Sequence, residues 1–157
     1  MEEKELTQEQ ENKQSESQKY LTFFINGQCY GIPISLVMEI IGVQKIAEVP
    51  EFPYYAKGII NLRGLIIPII DVNLRIGYPE QEYTGKTCII VVMVGEIEIG
   101  LVVDEVNEVV DIDANDVNPP PRGAEADRFI SGIAVQPNKM VLLMACEKII
   151  GDDIFDI

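Results

Sequence analysis

Short apolar runs separated by turn-forming residues dominate the chain from Tyr20 onwards. The first two runs, Tyr20–Ile25 and Cys29–Ile34, flank the dipeptide Asn26-Gly27. Asn-Gly favours the left-handed backbone of a two-residue turn, and the runs are rich in the β-branched and aromatic residues that strands prefer. This pattern predicts a β-hairpin at the start of the folded chain.

Two further hairpins are predicted by the same succession of apolar runs and turns. Lys86–Val94 and Glu96–Asp104 flank Gly95, and Gly132–Val135 is followed by Lys139–Ala145. Each run has the length of an ordinary strand, and each break contains a residue that suits a tight turn. The chain is therefore expected to be mostly β.

The block Gly58–Asp71 contains two apolar runs interrupted by the polar turn Asn61–Gly64. Its isoleucine-rich second run is typical of a buried strand, and Gly64 can adopt the positive φ that such a turn requires. Arg63 is the only cation in the block and is expected at the tip of a strand–turn–strand unit. It is either a solvated turn residue or a fork of donors for a carboxylate on another chain.

A short helix is predicted between the first hairpin and this block. Ser35 is suited to cap a helix over residues 36–41. The helix would carry three apolar side chains, Val37, Ile40 and Ile41, which is more than one stripe of two turns can bury. They are expected either to pack in the core or to face a partner or a groove between two lobes.

The two ends of the chain differ from this β pattern. Residues 1–18 are nearly all polar, with six Glu and two Lys, and are expected to form a disordered acidic tail. A single domain is expected over residues 19–157, with a first lobe at about 19–85 and a second at about 86–157, and with exchange of strands between the lobes allowed. Glu147–Phe155 is expected to form a terminal helix.

The two halves of this domain resemble each other. A shift of 69 residues places Tyr30–Ile32 on Ile99–Leu101, and a shift of 74 places Gly58–Ile59 on Gly132–Ile133. With these shifts, each half is predicted to contain a hairpin followed by a pair of strands that begins near a glycine, Gly58 or Gly132. The pattern predicts two related β-lobes.

Charge and composition exclude several classes of function. The net charge is −14, and no stripe of Lys and Arg is available for nucleic acid or an anionic membrane. No apolar run reaches the roughly 18–20 residues of a membrane helix, and the first residues do not form a signal peptide. We therefore expect a cytoplasmic protein.

Several residue patterns typical of catalysis are also missing. The chain has no histidine, which excludes Ser-His-Asp and Cys-His catalysis and histidine metal sites. Neither G-x-x-x-x-G-K-[ST] nor G-x-G-x-x-G occurs. Three widely spaced cysteines, in apolar segments, are expected to be buried thiols. We expect no enzymatic activity, no metal and no cofactor.

Several motifs in order resemble the CheW family, the adaptors of bacterial chemotaxis. The strongest likeness is the block Gly58–Asp71, with its N-L-R-G turn. Further likeness lies at residues 23–40, 99–106 and 130–133, so the resemblance runs from about Tyr20 to about Ile150. It implies two small five-stranded β-barrel (SH3-like) lobes side by side, with short helices and a C-terminal helix.

The resemblance also implies partners and binding residues. It implies a monomeric, non-catalytic adaptor that couples the cytoplasmic hairpin tip of chemoreceptors to the regulatory domain of the histidine kinase CheA at membrane receptor arrays. Val37, Glu39 and Arg63 match receptor-binding positions of the family; Ile40, on the same segment, and Val103 and Val106, inferred from the second lobe, are added to the expected receptor-binding residues. Those that match kinase-binding positions are Lys57, Arg122 and Gly123.

Three alternatives remain open from the sequence. The regulatory domain of CheA shares these motifs, so the chain could be such a domain detached from its kinase. A CheW-type adaptor could also serve another receptor–kinase pathway. A small-ligand β-barrel or an all-β enzyme belongs to a different class, which screens for metal, nucleotide and metabolite binding would separate.

Overall fold

The computed structural model describes residues 17–120 and 128–151. In this part of the chain, eleven β-strands form two sheets, and four short helices lie between or after the strands. In chain order the strands are β1 (Ser17–Ile25), β2 (Gln28–Pro33), β3 (Val37–Gly42), β4 (Ala56–Leu62), β5 (Leu65–Asp71), β6 (Cys88–Val94), β7 (Ile97–Val103), β8 (Glu105–Asp113), β9 (Val117–Asn118), β10 (Ile130–Gln136) and β11 (Lys139–Met144). The 3-10 helices are η1 (Ile34–Leu36) and η2 (Ala114–Asp116), and the α-helices are α1 (Val72–Arg75) and α2 (Cys146–Ile150).

Each sheet combines strands from both halves of the chain. The six-stranded sheet has the order β8-β1-β2-β11-β10-β9, and the five-stranded sheet has the order β3-β6-β7-β5-β4. Neighbouring strands are antiparallel except for the pairs β2–β11 and β5–β7. The first hairpin, β1–β2, is thus inserted among strands of the second half, and β6–β7 among strands of the first half.

The internal repeat predicted from the sequence is visible in this topology. The two residue shifts match β1–β3 with β6–β8, and β4–β5 with β10–β11. With these matches, β8-β1-β2-β11-β10 and β3-β6-β7-β5-β4 are the same order. The two sheets are therefore copies of one arrangement that have exchanged their hairpins, while the lobe boundary near residue 85 stays a prediction.

The sheets curl so that their edges approach each other, although they do not close into continuous barrels. In the six-stranded sheet, the three residues of η2 join the edge strands β8 and β9. In the five-stranded sheet, Ala47, beyond the end of β3, exchanges two 2.9 Å backbone hydrogen bonds with Ile59 on the opposite edge strand β4. This mostly-β arrangement agrees with the expected SH3-like lobes.

The largest hydrophobic cluster contains side chains from both sheets. Phe23 and Ile32 come from the six-stranded sheet, Ile90 and Leu101 from the five-stranded sheet, and Ile149 from α2, and each is fully buried. Burying one such side chain stabilises the fold by roughly 1.5–3 kcal/mol. Each sheet also has a smaller hydrophobic cluster formed by its own strands. The two sheets therefore share one main core, and each has a second, separate core.

The helix predicted over residues 36–41 is wrong. Helix η1 ends at Leu36, and Val37–Gly42 forms the edge strand β3, paired with the apolar strand β6. The exposure of its side chains alternates with the period of two that marks a strand. Three β-branched residues in six favour this conformation, and pairing with β6 outweighs the capping signal of Ser35.

The ends of the described chain also differ from expectation. Strand β1 begins at Ser17, within the segment predicted as a tail, because Ser17 and Gln18 pair with Asp113 and Ile112. The terminal helix begins one residue early, at Cys146, and ends at Ile150 before Gly151, whose φ is +68°. The rest of the predicted tail, residues 1–16, and the rest of the predicted terminal helix, residues 152–155, lie outside the described residues.

Candidate protein-binding site

The turn between β4 and β5 carries Arg63 in a backbone conformation that costs energy. Arg63 has a φ of +52° and Gly64 a φ of +88°, as a two-residue hairpin turn of this type requires. The Asn61 side-chain oxygen accepts a 2.9 Å hydrogen bond from the Gly64 amide and fixes the turn. A left-handed arginine costs about 1–2 kcal/mol relative to the ordinary helical or extended conformation. An arginine in such a strained position points to a role for its side chain.

The Arg63 side chain joins the two edges of the five-stranded sheet. Its Nη2 donates to Glu39 Oε1 on β3 at 2.8 Å, and β3 and β4 are the edge strands. The hydrogen bond and the charge of Glu39 raise the pKa of Arg63. The Arg63 side chain is nevertheless 71% exposed, so its remaining N–H groups are accessible to a carboxylate on a partner.

The structure brings together some of the predicted receptor-binding residues and buries others. Glu39 is paired with Arg63, whereas the neighbouring Ile40 is exposed on the opposite face of the edge strand β3, because successive side chains of a strand alternate. Val37 and Val106 are partly buried against the main core. Val103 is fully buried in the main core, so it does not form part of an exposed surface.

One exposed residue of strand β3 was not predicted from the sequence. Met38 on β3 is about as exposed as Ile40, two residues later on the same side of the strand. The segment Val37–Gly42 does not alternate between apolar and polar residues, so it gave no signal for a strand and was interpreted as a helix. We call Met38, Glu39 and Ile40 on this edge strand, together with Arg63 beside it, the β3 surface.

Lys57 sits at a bulge of β4. The register of β4 against β5 shifts between Ala56 and Gly58. A Cβ at Gly58 would lie 2.0 Å from the Ala47 carbonyl oxygen, so only glycine allows the chain to approach there. This close approach fixes the backbone beside Lys57.

The Lys57 ammonium contacts the segment between α1 and β6. It forms an ion pair with Glu80 and lies 5.9 Å from the centre of the Tyr83 ring. Lys57 lowers the pKa of Glu80 by its hydrogen bond and its charge. The Tyr83 hydroxyl donates a 2.7 Å hydrogen bond to the buried carboxylate of Asp71, and burial, followed by this bond, raises the pKa of Tyr83.

An apolar groove lies at the other end of the β4–β5 hairpin and was not predicted. Strands β5 and β7 pair only from Ile69 and Gly100 onwards, so their preceding residues diverge. The groove between them is lined by Leu65, Ile66, Pro68, Met93, Glu96, Ile97 and Glu98. The run that contains Ile66 was interpreted as a wholly buried strand, but Ile66 is 60% exposed.

Lys57 and Arg63 lie at opposite ends of one hairpin. Six positions of extended chain separate them, which corresponds to about 20 Å at the rise of a strand. The two cations are therefore too far apart to belong to one local contact. Arg122 and Gly123, the other predicted kinase-binding residues, lie outside the described residues.

Two kinds of feature are absent from the described residues. No group of three or more His, Cys, Asp or Glu side chains within them could hold a metal ion. No helix in that part of the chain is long and apolar enough to cross a membrane.

Comparison with known proteins identifies the family. A family model described as the CheW-like domain matches residues 19–153. The chemotaxis protein CheW of Bacillus subtilis is 33% identical over 138 residues, which cover 87% of this chain and 88% of that protein. The CheW protein of Klebsiella aerogenes is 32% identical over 138 residues, covering 87% and 83%.

A solved structure agrees with this assignment. The scaffolding protein TtCheW from Thermoanaerobacter tengcongensis superposes with a TM-score of 0.77 at 36% sequence identity, covering 82% of this chain and 88% of that one. The family match includes both sheets, the N-L-R-G turn at Arg63 and the bulge at Lys57. The chain therefore belongs to the CheW-like family of chemotaxis proteins.

Proposed function

We propose that this protein is a non-catalytic chemotaxis adaptor that couples membrane chemoreceptors to the kinase CheA in the cytoplasm. The observation that carries the proposal is the separation of two exposed, differently built surfaces along one rigid hairpin. Holding two partners on one rigid body raises their effective concentration toward each other by mass action, without any catalytic step.

The β3 surface is the proposed receptor site. Its exposed guanidinium at the tip of the turn suits a carboxylate, and the exposed Met38 and Ile40 suit an apolar helix face. Glu39 holds Arg63 in place through their 2.8 Å ion pair. We assign Val37, Val103 and Val106 to the layer that supports this surface. We propose the helical hairpin tip of a chemoreceptor as the partner of this surface.

The Lys57 end of the hairpin is the proposed kinase site. Lys57, partly buried and fixed beside a bulge, offers a positioned ammonium group. The exposed side of β4 and β5 continues from there through Ile59 and Pro68, which face each other across the strands, towards Ile66. An apolar face of this kind on a soluble domain commonly marks a protein-binding surface. Arg122 and Gly123 are proposed as a second kinase contact.

Binding measurements with purified partners test this function. The CheA regulatory domain and a receptor fragment containing the cytoplasmic hairpin tip are each titrated with this protein in a calorimeter. We expect both to bind, and we expect the complex with one partner still to bind the other. Binding of neither partner would refute the proposed function, and mutual exclusion would refute the assignment of two separate surfaces.

A further inference from the structure

The segment between α1 and β6 folds back over Lys57 and is fixed on both sides of Glu80. Before Glu80, the Tyr78 amide donates a 2.8 Å hydrogen bond to the Asn73 carbonyl oxygen. After it, the Tyr83 hydroxyl donates a 2.7 Å hydrogen bond to Asp71. Hydrogen bonds therefore hold the chain in place before and after Glu80, and the Glu80 carboxylate forms an ion pair with the Lys57 ammonium.

The ion pair with Glu80 occupies the Lys57 ammonium, which is the group that the kinase regulatory domain is proposed to bind. Lys57 is the less exposed member of the pair, and Glu80 is largely in solvent. An exposed ammonium–carboxylate pair contributes little to stability, because water and salt screen it. The carboxylate can therefore be exchanged for another one at small cost, since the number of ion pairs stays the same.

We propose that Glu80 is an intramolecular stand-in for a partner carboxylate, and that the kinase regulatory domain binds by replacing Glu80 on Lys57 with an Asp or Glu of its own. The inference rests on the proposed kinase-binding role of Lys57. It adds the chemistry of the partner group and a masking role for the segment that carries Glu80. Lys57 is covered in the free protein and is released by exchange, so Glu80 lowers the affinity for the kinase.

The same segment offers a matched control. Glu82 lines the same hollow beside Lys57 and Tyr83, but it forms no ion pair with any described residue. Glu80→Gln and Glu82→Gln remove the same charge from the same stretch of chain. A difference between them reports the local contact with Lys57, because the change in net charge is identical.

The first measurement concerns the free protein. Lysine acylation by a small anhydride, followed by mass spectrometry, reports how accessible the amine of Lys57 is. Glu80→Gln should speed the labelling of Lys57, whereas Glu82→Gln should leave its rate near that of the unmodified protein. Equal rates in all three proteins would show that Glu80 does not hold Lys57 in solution and would overturn the inference, whatever the kinase does.

The second measurement concerns binding to the purified CheA regulatory domain. Glu80→Gln should bind about two- to fivefold more tightly than Glu82→Gln, the range that corresponds to an exposed ion pair. The gain should vanish when Lys57→Ala is combined with Glu80→Gln. Equal or weaker binding by Glu80→Gln contradicts the exchange. If the unmodified protein does not bind the kinase domain at all, the proposed function fails as well, and the labelling result separates the two failures.

Discussion

At the scale of single residues, the backbone is constrained at or next to both candidate binding cations, Arg63 and Lys57. Arg63 adopts a left-handed conformation, and Lys57 precedes a glycine that packs against the Ala47 carbonyl. Both constraints fix the start of a long side chain, which lowers the entropy lost when that side chain binds a partner. The N-L-R-G turn was readable from sequence because glycine follows the arginine. The bulge at Lys57 was not readable, because it depends on the approach of Ala47, which lies outside the strands and pairs with Ile59.

Gly58→Ala should destabilise the fold strongly. The new Cβ would lie 2.0 Å from the Ala47 oxygen, and the φ of +142° is unfavourable for any L side chain. We expect a loss of roughly 1–3 kcal/mol or more in the free energy of unfolding, measured by urea denaturation. Gly42→Ala is the control, because nothing lies within 4 Å of its added Cβ. Similar stability of the two variants would contradict the described bulge.

Alkaline pH should destabilise the protein through two buried groups. Burial raises the pKa of Cys146 from 9.0 to about 12 and that of Tyr30 from 10.0 to about 12. The folded state thus favours their neutral forms, so their contribution is complete below pH 9 and is lost as the pH rises towards 12. The free energy of unfolding, measured from pH 8 to pH 12, should fall over this window, and Cys146→Ala should reduce its slope. A flat profile would contradict the burial of these groups.

At the scale of elements, local turn signals predicted the hairpins and tertiary contacts decided the rest. Asn26-Gly27 specified its turn because both residues tolerate positive φ, and the structure has them at +51° and +80°. The strand β3 was missed because six residues show too little of either period. The groove beside Ile66 was missed because it arises where β5 and β7 diverge, which depends on the exchange of hairpins.

The apolar groove gives a prediction with a control in the other sheet. Ile66→Ser should weaken binding to the CheA regulatory domain by roughly 1–2 kcal/mol, because an exposed apolar contact is lost from the proposed kinase face. Met140 is its equivalent after the shift of 74 residues and is similarly exposed, at 61% against 60%. Met140→Ser should leave this affinity unchanged in the same titration. Equal effects of the two substitutions would remove the groove from the kinase site.

At the scale of the whole molecule, the account requires the two sheets to move as one body. Asp104, at the end of β7, accepts hydrogen bonds from Asn26 in the first hairpin and from Asn73 in α1, at 2.8 and 2.6 Å. Arg75 in α1 donates to the Ile149 carbonyl oxygen in α2 at 2.8 Å. The repeat predicted two related lobes, but these connections between them could not be read from either lobe alone.

Arg75→Ala should loosen the connection between the two helices. Arg75 also donates to the Lys148 carbonyl oxygen at 3.1 Å and lies against the rings of Tyr55 and Phe129, at 4.2 and 5.0 Å. We expect a loss of roughly 1–3 kcal/mol in the free energy of unfolding. Arg75→Lys should restore only part of it, because an ammonium group lacks the planar fork of donors. Full stability of the alanine variant in urea would show that the helices do not depend on this residue.

The central claim is that receptor and kinase bind to separate surfaces, one around Arg63 and β3 and one that begins at Lys57, and calorimetry of two variants against both partners tests it most directly. Arg63→Ala should weaken receptor binding by roughly 1–3 kcal/mol, with partial rescue by Arg63→Lys, and should change kinase binding much less. Lys57→Ala should show the opposite preference. If Arg63→Ala leaves the receptor affinity intact in a folded protein, or if both variants weaken both partners equally, the account of two separate surfaces is contradicted.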